Sequence, residues 1–264
     1  MGRRLTVLVV GLRAEDAGKT TLALALLRYL REHGVNACGF KPKAGNNVWY
    51  DFDIVYESLS QGRLYGKDAK LLRMASETEW PEEVINPIHR LWAESALSIE
   101  IPEFIADRVC IRDEFLVVLN ALMPVEPEVE ELLRRLCRRA SQTFKVTRLE
   151  ELAAFAPKYE AAIEAAYEKI TRRHEAIVVE SYCDVALPWE KLKPDVVLGV
   201  EPWRIFVYDA EKYMAAVELI GRREVTTKSV CPLLKPLKQV KVPPLQSSEI
   251  TERLKEILHH ILDL

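Results

Sequence analysis

Residues 18–21 read Gly-Lys-Thr-Thr, and these residue types together suit the binding of a polyphosphate. The absence of a side chain at Gly18 lets the backbone approach phosphate oxygens, and successive N–H groups at a helix start attract an anion. Lys19 would reach the β- and γ-phosphates, and the hydroxyl of Thr20 would ligate Mg²⁺. The predicted nucleotide-binding residues are Asp16, Ala17, Gly18, Lys19, Thr20 and Thr21.

The neighbouring sequence supplies the elements that would position this loop. Residues 5–10 read LTVLVV, a continuous apolar run typical of a buried parallel strand. Residues 20–31 carry apolar side chains at helical spacing, Gly34 follows as a helix stop, and residues 35–40 form a second apolar segment. This order predicts a βαβ unit with a P-loop at its phosphate-binding position.

The loop departs from the usual P-loop pattern, G-x-x-x-x-G-K-[ST]. Counting back from Gly18, the first glycine would fall at Arg13, whereas the chain has Gly11 instead. The sequence therefore predicts a phosphate-binding loop that is longer than usual.

An acidic residue ends a later apolar run. Residues 176–179 read AIVV and are followed by Glu180, as in a Walker B strand, where a carboxylate supports the metal. Further predicted strands cover 104–109, 114–119, 196–200 and 203–208, with extended pieces at 225–231 and 239–242; predicted helices cover 68–75, 126–140, 149–171, 209–220 and 249–264. We expect an α/β, three-layer P-loop NTPase fold with a mainly parallel sheet. It would be a single domain over 1–264, with 91–170 as an insertion or helical cover.

Several spaced features together resemble dethiobiotin synthetase and the wider class of P-loop NTPases that includes the nitrogenase iron protein. They are the loop ending in Gly-Lys-Thr, Lys41-Pro42, Asp68-Ala69, Asn86-Pro87 and Val-Val-Glu ending at Glu180. The chain is also similar to archaeal-type P-loop ATPases of the same class. The resemblance covers residues 5–90 and 176–200 and is not visible over 91–170.

The resemblance implies roles for particular residues. Lys19 and Lys41 would be catalytic, Lys19 on the phosphates and Lys41 facing the site of substrate carboxylation. Thr20, Asp68 and Glu180 would surround Mg²⁺, and Asp16 would hold the acidic position before Gly-Lys-Thr. Rival carboxylates for the metal are Asp51, Asp53 and Asp184. The chain lacks the serine that follows the family's Lys-Pro and the glycines that follow its acidic residue. The resemblance therefore supports the family's nucleotide chemistry for this chain better than it supports the family's substrate.

The composition of the chain disfavours several classes of function. The chain has 264 residues, 49% of them hydrophobic, with a net charge of −3, which disfavours a nucleic-acid binder. No apolar stretch approaches the roughly 18 residues of a membrane span. The apolar N-terminal run lacks a signal-peptide cleavage site, so we expect a cytoplasmic protein. The five cysteines are scattered without a C-x-x-C pair, which disfavours zinc.

These features predict a Mg²⁺-dependent, ATP-binding P-loop ATPase, either a hydrolase or an ATP-dependent ligase related to dethiobiotin synthetase. The alternative is a regulatory ATPase or GTPase switch that dimerises and acts through a protein partner. The expected partners are a nucleotide and either a small-molecule substrate or a protein, with no nucleic acid and no membrane. A homodimer is compatible with both readings. Residues 227–229 resemble a GTPase base-recognition loop, but Val230 replaces its acid, which favours ATP.

Overall fold

The computed structural model describes residues 4–93, 104–221, 225–243 and 249–262. Part of the expected insertion, 94–103, and the last two residues of the expected closing helix lie outside this range. The strands of the described residues are β1 (Leu5–Gly11), β2 (Ala37–Phe40), β3 (Lys43–Asn47), β4 (Ile88–Trp92), β5 (Phe104–Ile111), β6 (Glu114–Asn120), β7 (Gln142–Val146), β8 (Ala176–Glu180), β9 (Val196–Glu201), β10 (Arg204–Asp209) and β11 (Lys238–Lys241).

The helices are distributed between these strands. They are α1 (Lys19–Glu32), α2 (Phe52–Ser60), α3 (Lys67–Ser76), α4 (Glu82–Ile85), α5 (Pro127–Arg139), α6 (Leu149–Ala153), α7 (Ala156–Thr171), α8 (Ala210–Ile220), α9 (Thr227–Val230) and α10 (Ile250–Leu262). A 3₁₀ turn at Cys231–Leu233 follows α9. The α/β class expected from the sequence is confirmed. None of the helices within the described ranges is long and apolar enough to cross a membrane.

The chain divides into two compact units. The first comprises Met1–Pro42, Leu71–Glu79 and Ile170–Leu264, and the second comprises Lys43–Lys70 and Trp80–Lys169. The second unit therefore starts well before residue 91, where the sequence places an insertion. It also contains a sheet of its own, in which the strands predicted over 104–109 and 114–119 are β5 and β6, whereas the sequence predicts an insertion or helical cover over 91–170.

The first unit is built on a six-stranded mixed sheet in the order β11-β10-β9-β1-β8-β2. Strands β2, β8, β1 and β9 are parallel, and β10 and β11 run antiparallel to their neighbours. The central strands are apolar and buried, as parallel strands covered on both faces must be. In the register, Val9 lies opposite Glu180 and Gly11 opposite Val200, so the carboxyl ends of these strands meet at one edge.

Helix α1 packs its apolar side on the first sheet. Leu22, Leu26 and Leu30 are fully buried at helical spacing, and the helix contacts β1, β2 and β8. The helix begins directly after Gly18, whose φ of 93° and ψ of 16° give it a left-handed conformation that glycine adopts readily. The start of α1 therefore faces the edge where the strands end.

The second unit contains a five-stranded mixed sheet in the order β3-β4-β5-β6-β7. Strands β5 and β6 form a hairpin whose two-residue turn is Arg112-Asp113, with a φ of 59° at Arg112. Helices α2 and α5 cover the sheet, and leucines of both helices join residues of β4, β5 and β6 in one apolar core. This core shows that the second unit is packed around its own interior.

Arg108 is a buried cation inside the second unit. Its guanidinium donates to the carbonyl oxygens of Leu64 at 3.0 Å, Pro87 at 2.9 Å and Asn86 at 2.7 Å. Because five N–H donors are fixed in one plane, a single arginine can tie several backbone segments together. The side chain thereby joins the loop before α3 to the loop before β4.

Some local predictions differ from the structure. Residues 225–231 are predicted to be extended, but only Val225 and Thr226 lie outside helical structure, and the rest belong to α9 and the 3₁₀ turn. The helix predicted over 149–171 is two helices, α6 and α7, separated at Ala154 and Phe155. Strands β3 and β7 are not predicted, because their sequences, KAGNN and QTFKV, carry little apolar alternation.

Candidate phosphate-binding site

The loop between β1 and α1 lies entirely in the first unit. Residues 12–18 are irregular, and the N–H of Leu12 donates to the carbonyl of Val200 at 2.9 Å, which ties the start of the loop to β9. Gly18 cannot cap α1 with a side chain, and the first N–H groups of a helix have no partner inside it. The N-terminus of α1 is therefore suited to accept an anion.

Gly11 has no room for a side chain. A Cβ at this position would lie 2.8 Å from the carbonyl oxygen of Arg13, 2.8 Å from Nζ of Lys19 and 3.1 Å from Cβ of Ala17. The loop thus folds tightly over the end of β1, and the Lys19 side chain turns back across it. The longer spacing from Gly11 to Gly18 still produces a closed loop over the strand end.

The Lys19 ammonium is held by backbone oxygens. Its Nζ donates to the carbonyl of Cys183 at 2.7 Å and to that of Ala14 at 3.4 Å. Cys183 lies three residues after β8 and has a φ of 44°, which is uncommon for a residue other than glycine. Lys19 therefore connects the phosphate-binding loop to the segment that follows β8.

Three predicted residues meet at the carboxylate of Glu180. Its Oε1 accepts a hydrogen bond from Oγ1 of Thr20 at 2.8 Å and pairs with Nζ of Lys41 at 2.7 Å. The Glu180 side chain is 0% exposed and that of Lys41 is 6% exposed. The three residues start α1, end β8 and follow β2, and they converge because β8 lies between β1 and β2 in the sheet.

The segment after β8 is braced by α8 and α9. The Ser181 hydroxyl donates to the carbonyl of Val185 at 2.6 Å, and the Tyr213 hydroxyl donates to that of Ala186 at 3.1 Å. Burial raises the pKa of Tyr213 well above its ordinary value, so this hydroxyl stays protonated. The N–H of Thr227 donates to Asp184 O at 2.8 Å.

Thr227 also contacts the last residue of β1, directly before the β1–α1 loop. Its Oγ1 donates to the carbonyl of Gly11 at 2.7 Å, and the residue is 1% exposed. The stretch that resembles a GTPase base-recognition loop thus buries its first residue against Gly11. The sequence predicts no structural role for Thr227, because its hydrogen-bond partner is 216 residues away and no local pattern distinguishes this residue.

The other predicted residues have the following positions. In the loop and α1, Asp16 is exposed, Ala17 is buried and Thr21 is half-buried. Asp68 lies in the first turn of α3 and belongs to the second unit, as do the rivals Asp51 and Asp53. The rival Asp184 is in the first unit, with Oδ2 at 4.0 Å from Nζ of Lys228. The first unit therefore brings together Lys19, Thr20, Lys41 and Glu180.

The donor set suits a magnesium nucleotide. Hydroxyl and carboxylate oxygens are the ligands that Mg²⁺ prefers, and adjacent ligands of its octahedron lie roughly 2.9 Å apart. The observed 2.8 Å between Oγ1 of Thr20 and Oε1 of Glu180 agrees with that separation. Among the described residues, no group of three His, Cys, Asp or Glu side chains could hold a metal ion by itself. Phosphate oxygens and water would therefore have to supply the remaining ligands.

No protein-family model matches the chain, and no curated protein matches it. A functional conclusion must therefore come from the residues and geometry of the first unit.

Proposed function

We propose that the first unit is a P-loop NTPase domain of three-layer type that binds Mg²⁺·ATP and transfers or hydrolyses its γ-phosphate. The observation that carries this proposal is the 2.8 Å contact between Thr20 and Glu180 beside the loop from Gly11 to Gly18. A hydroxyl at a helix start and a carboxylate at a strand end are the two protein groups that hold the metal in P-loop enzymes.

Each residue then has a chemical task. Lys19 exchanges its carbonyl partners for phosphate oxygens, to which an ammonium donates more strongly because they are charged. The N–H groups of α1 hold the polyphosphate in place, and Thr20 and Glu180 hold Mg²⁺. When bound, the metal neutralises charge that develops on the β- and γ-phosphates. Asp68, the third ligand that the resemblance implies, belongs to the second unit and stays a prediction.

Lys41 supports the proposal through its charge. Its ammonium lies 2.7 Å from Glu180 and compensates the negative charge of that buried carboxylate, which would be costly in the interior without a partner. As the metal site fills, this ammonium becomes available to a transferring phosphoryl group or to the carboxylate of a substrate. A ligase related to dethiobiotin synthetase is the form of this chemistry that the resemblance suggests.

A regulatory switch is the second candidate. It is favoured by the hydrogen bond from Lys19 to the carbonyl of Cys183. A γ-phosphate that attracts Lys19 would remove this contact and release the segment after β8, which could then be read by a protein partner. The two candidates share one nucleotide site and differ in whether turnover is fast.

Calorimetry tests the common step. Wild-type protein should bind ATP with Mg²⁺, and Lys19→Ala should weaken binding about 10- to 150-fold, the loss of a hydrogen bond to a charged group. Lys212→Ala, which removes an exposed lysine from α8 in the same unit, is the matched control and should bind as the wild type does. Absence of binding of ATP, GTP and ADP by the wild type would refute the proposal. Steady-state ATP turnover then separates an enzyme from a slow switch.

A further inference from the structure

Trp203 is an unusual residue at the edge where the phosphate-binding loop lies. It occupies the turn between β9 and β10, its side chain is exposed, at 59%, and its φ is 71°. A bulky residue rarely adopts a positive φ, and such outliers concentrate at functional positions. The N–H of Val242 donates to the carbonyl of Trp203 at 2.8 Å, which fixes the turn against the chain after β11.

The order of the strands indicates in which direction a bound nucleotide would extend across the sheet edge. Glu180 ends β8, on one side of β1, and marks the end of the site where the metal and the γ-phosphate would lie. The nucleoside of a bound nucleotide must then extend toward the other side of β1, where β9 ends. This inference rests on the proposed function, because it takes the polyphosphate to lie along the loop.

The end of β9 adjoins the phosphate-binding loop directly. Val200 lies opposite Gly11 in the sheet, accepts the N–H of Leu12, and has Cγ2 3.6 Å from the position of a Cβ on Gly18. Trp203 follows Val200 by three residues, a reach of at most about 10 Å along an extended chain. The turn that carries Trp203 therefore lies within reach of the side of the loop toward which the nucleoside would extend.

We propose that the indole of Trp203 is a stacking platform for the base of the bound nucleotide. An exposed aromatic ring gains from stacking because every base presents a π-face, and the gain hardly depends on which base is bound. Trp203 would then supply affinity for a nucleoside without choosing between adenine and guanine.

The test compares two ligands that differ in the nucleoside. Calorimetry with Mg²⁺ measures the Kd of ATP and of inorganic tripolyphosphate for the wild type, Trp203→Leu and Trp203→Phe. We expect Trp203→Leu to weaken ATP binding about 5- to 150-fold, as loss of one stacked base does, and to leave tripolyphosphate binding unchanged. Trp203→Phe should stay within about threefold of the wild type, since it keeps an aromatic ring.

Trp49→Leu is the matched control. Trp49 is also an exposed indole, at 82%, and belongs to the second unit. Its replacement should leave the Kd of both ligands unchanged. Equal weakening of ATP and tripolyphosphate by Trp203→Leu would show that the residue only supports the loop, and would overturn the stacking role.

The remaining outcomes separate this inference from the proposed function. ATP binding that is unaffected by Trp203→Leu would refute the role of Trp203 but would not contradict the proposed nucleotide-binding function. A wild type that binds ATP no more tightly than tripolyphosphate would refute any base contact. A wild type that binds neither ligand would refute the proposed function and this inference together.

Discussion

The buried ion pair between Lys41 and Glu180 gives the sharpest prediction on stability. Both side chains are nearly inaccessible, so Lys41→Met would leave the Glu180 carboxylate in the interior without the ammonium. Removing one partner of a buried pair costs about 3–5 kcal/mol, far more than the pair contributes relative to an apolar replacement. For a unit of this size that corresponds to a fall in Tm of about 9–15 °C.

A double-mutant cycle separates the charge from the packing. Glu180→Gln keeps an oxygen that can accept the Thr20 hydroxyl but removes the negative charge. In the double variant Lys41→Met/Glu180→Gln no charge remains buried, so at least half of the stability lost in Lys41→Met should return. Urea unfolding followed by circular dichroism measures the free energies. Hydrogen exchange of β1 and β8 assigns the change to the first unit.

Lys255→Met is the matched control for this cycle. The Lys255 side chain is only 12% exposed, but its partners Glu32 and Glu252 are 55% and 69% exposed. An ion pair whose carboxylates remain in water contributes about 0–1 kcal/mol. If Lys41→Met costs no more than Lys255→Met, the reasoning from burial is wrong.

Two other predictions concern the loop and pH. Gly11→Ala should abolish nucleotide binding in calorimetry, because the new Cβ meets backbone and Lys19. Gly18→Ala should cost only about 1–2 kcal/mol of strain, since only Val200 lies nearby. Equal losses of nucleotide affinity in the two variants would refute this reasoning. Burial lowers the pKa of His174, with a smaller opposing effect of its hydrogen bond to Ile170 O. The unfolded chain therefore binds a proton more readily near pH 6.5, so stability should fall as the pH drops from 7 to 5. The free energy of unfolding of His174→Gln, measured across that range, should fall less steeply.

The part of the fold that sequence reasoning recovers is the part encoded by local pattern. The strand predicted over 5–10 is β1, Leu5–Gly11, and the helix predicted over 20–31 is α1, Lys19–Glu32. Continuous apolar runs and helical periodicity carry these predictions because burial imposes them within a few residues. The helix predicted over 209–220 is also confirmed as α8, Ala210–Ile220, and Oδ1 of its N-cap residue Asp209 accepts the N–H of Lys212 at 2.9 Å.

The second sheet could be predicted only in part, since the strands predicted over 104–109 and 114–119 are β5 and β6. Strands β3 and β7 are not predicted: KAGNN does not alternate between apolar and polar residues, and QTFKV alternates only over its last four residues. They are strands because β4 and β6 offer parallel partners with matching hydrogen bonds. Pairing between distant segments outweighs local propensity in such strands, so a single sequence contains little trace of them.

The candidate site shows the same division between local and distant information. Gly18, Lys19 and Thr20 are adjacent in the chain, so their type and order alone predict a phosphate-binding helix start. Glu180 is 160 residues from Thr20 and 139 from Lys41, and only the strand order brings the three together. The sequence predicted that each could act, but the ion pair between Lys41 and Glu180 was not expected.

That ion pair changes the chemical interpretation of the site. One oxygen of the Glu180 carboxylate contacts both a hydroxyl and an ammonium, so the protein's own groups orient it before any ligand arrives. Lys19 is likewise held over Gly11 by the carbonyl of Cys183. The carboxylate of Glu180 and the ammonium of Lys19 are thus preorganised. Binding a magnesium nucleotide would require them to exchange hydrogen-bond partners but would not require a change of fold. Because only hydrogen-bond partners have to change, we favour nucleotide binding as the primary property of the first unit, whichever reaction or protein partner depends on it.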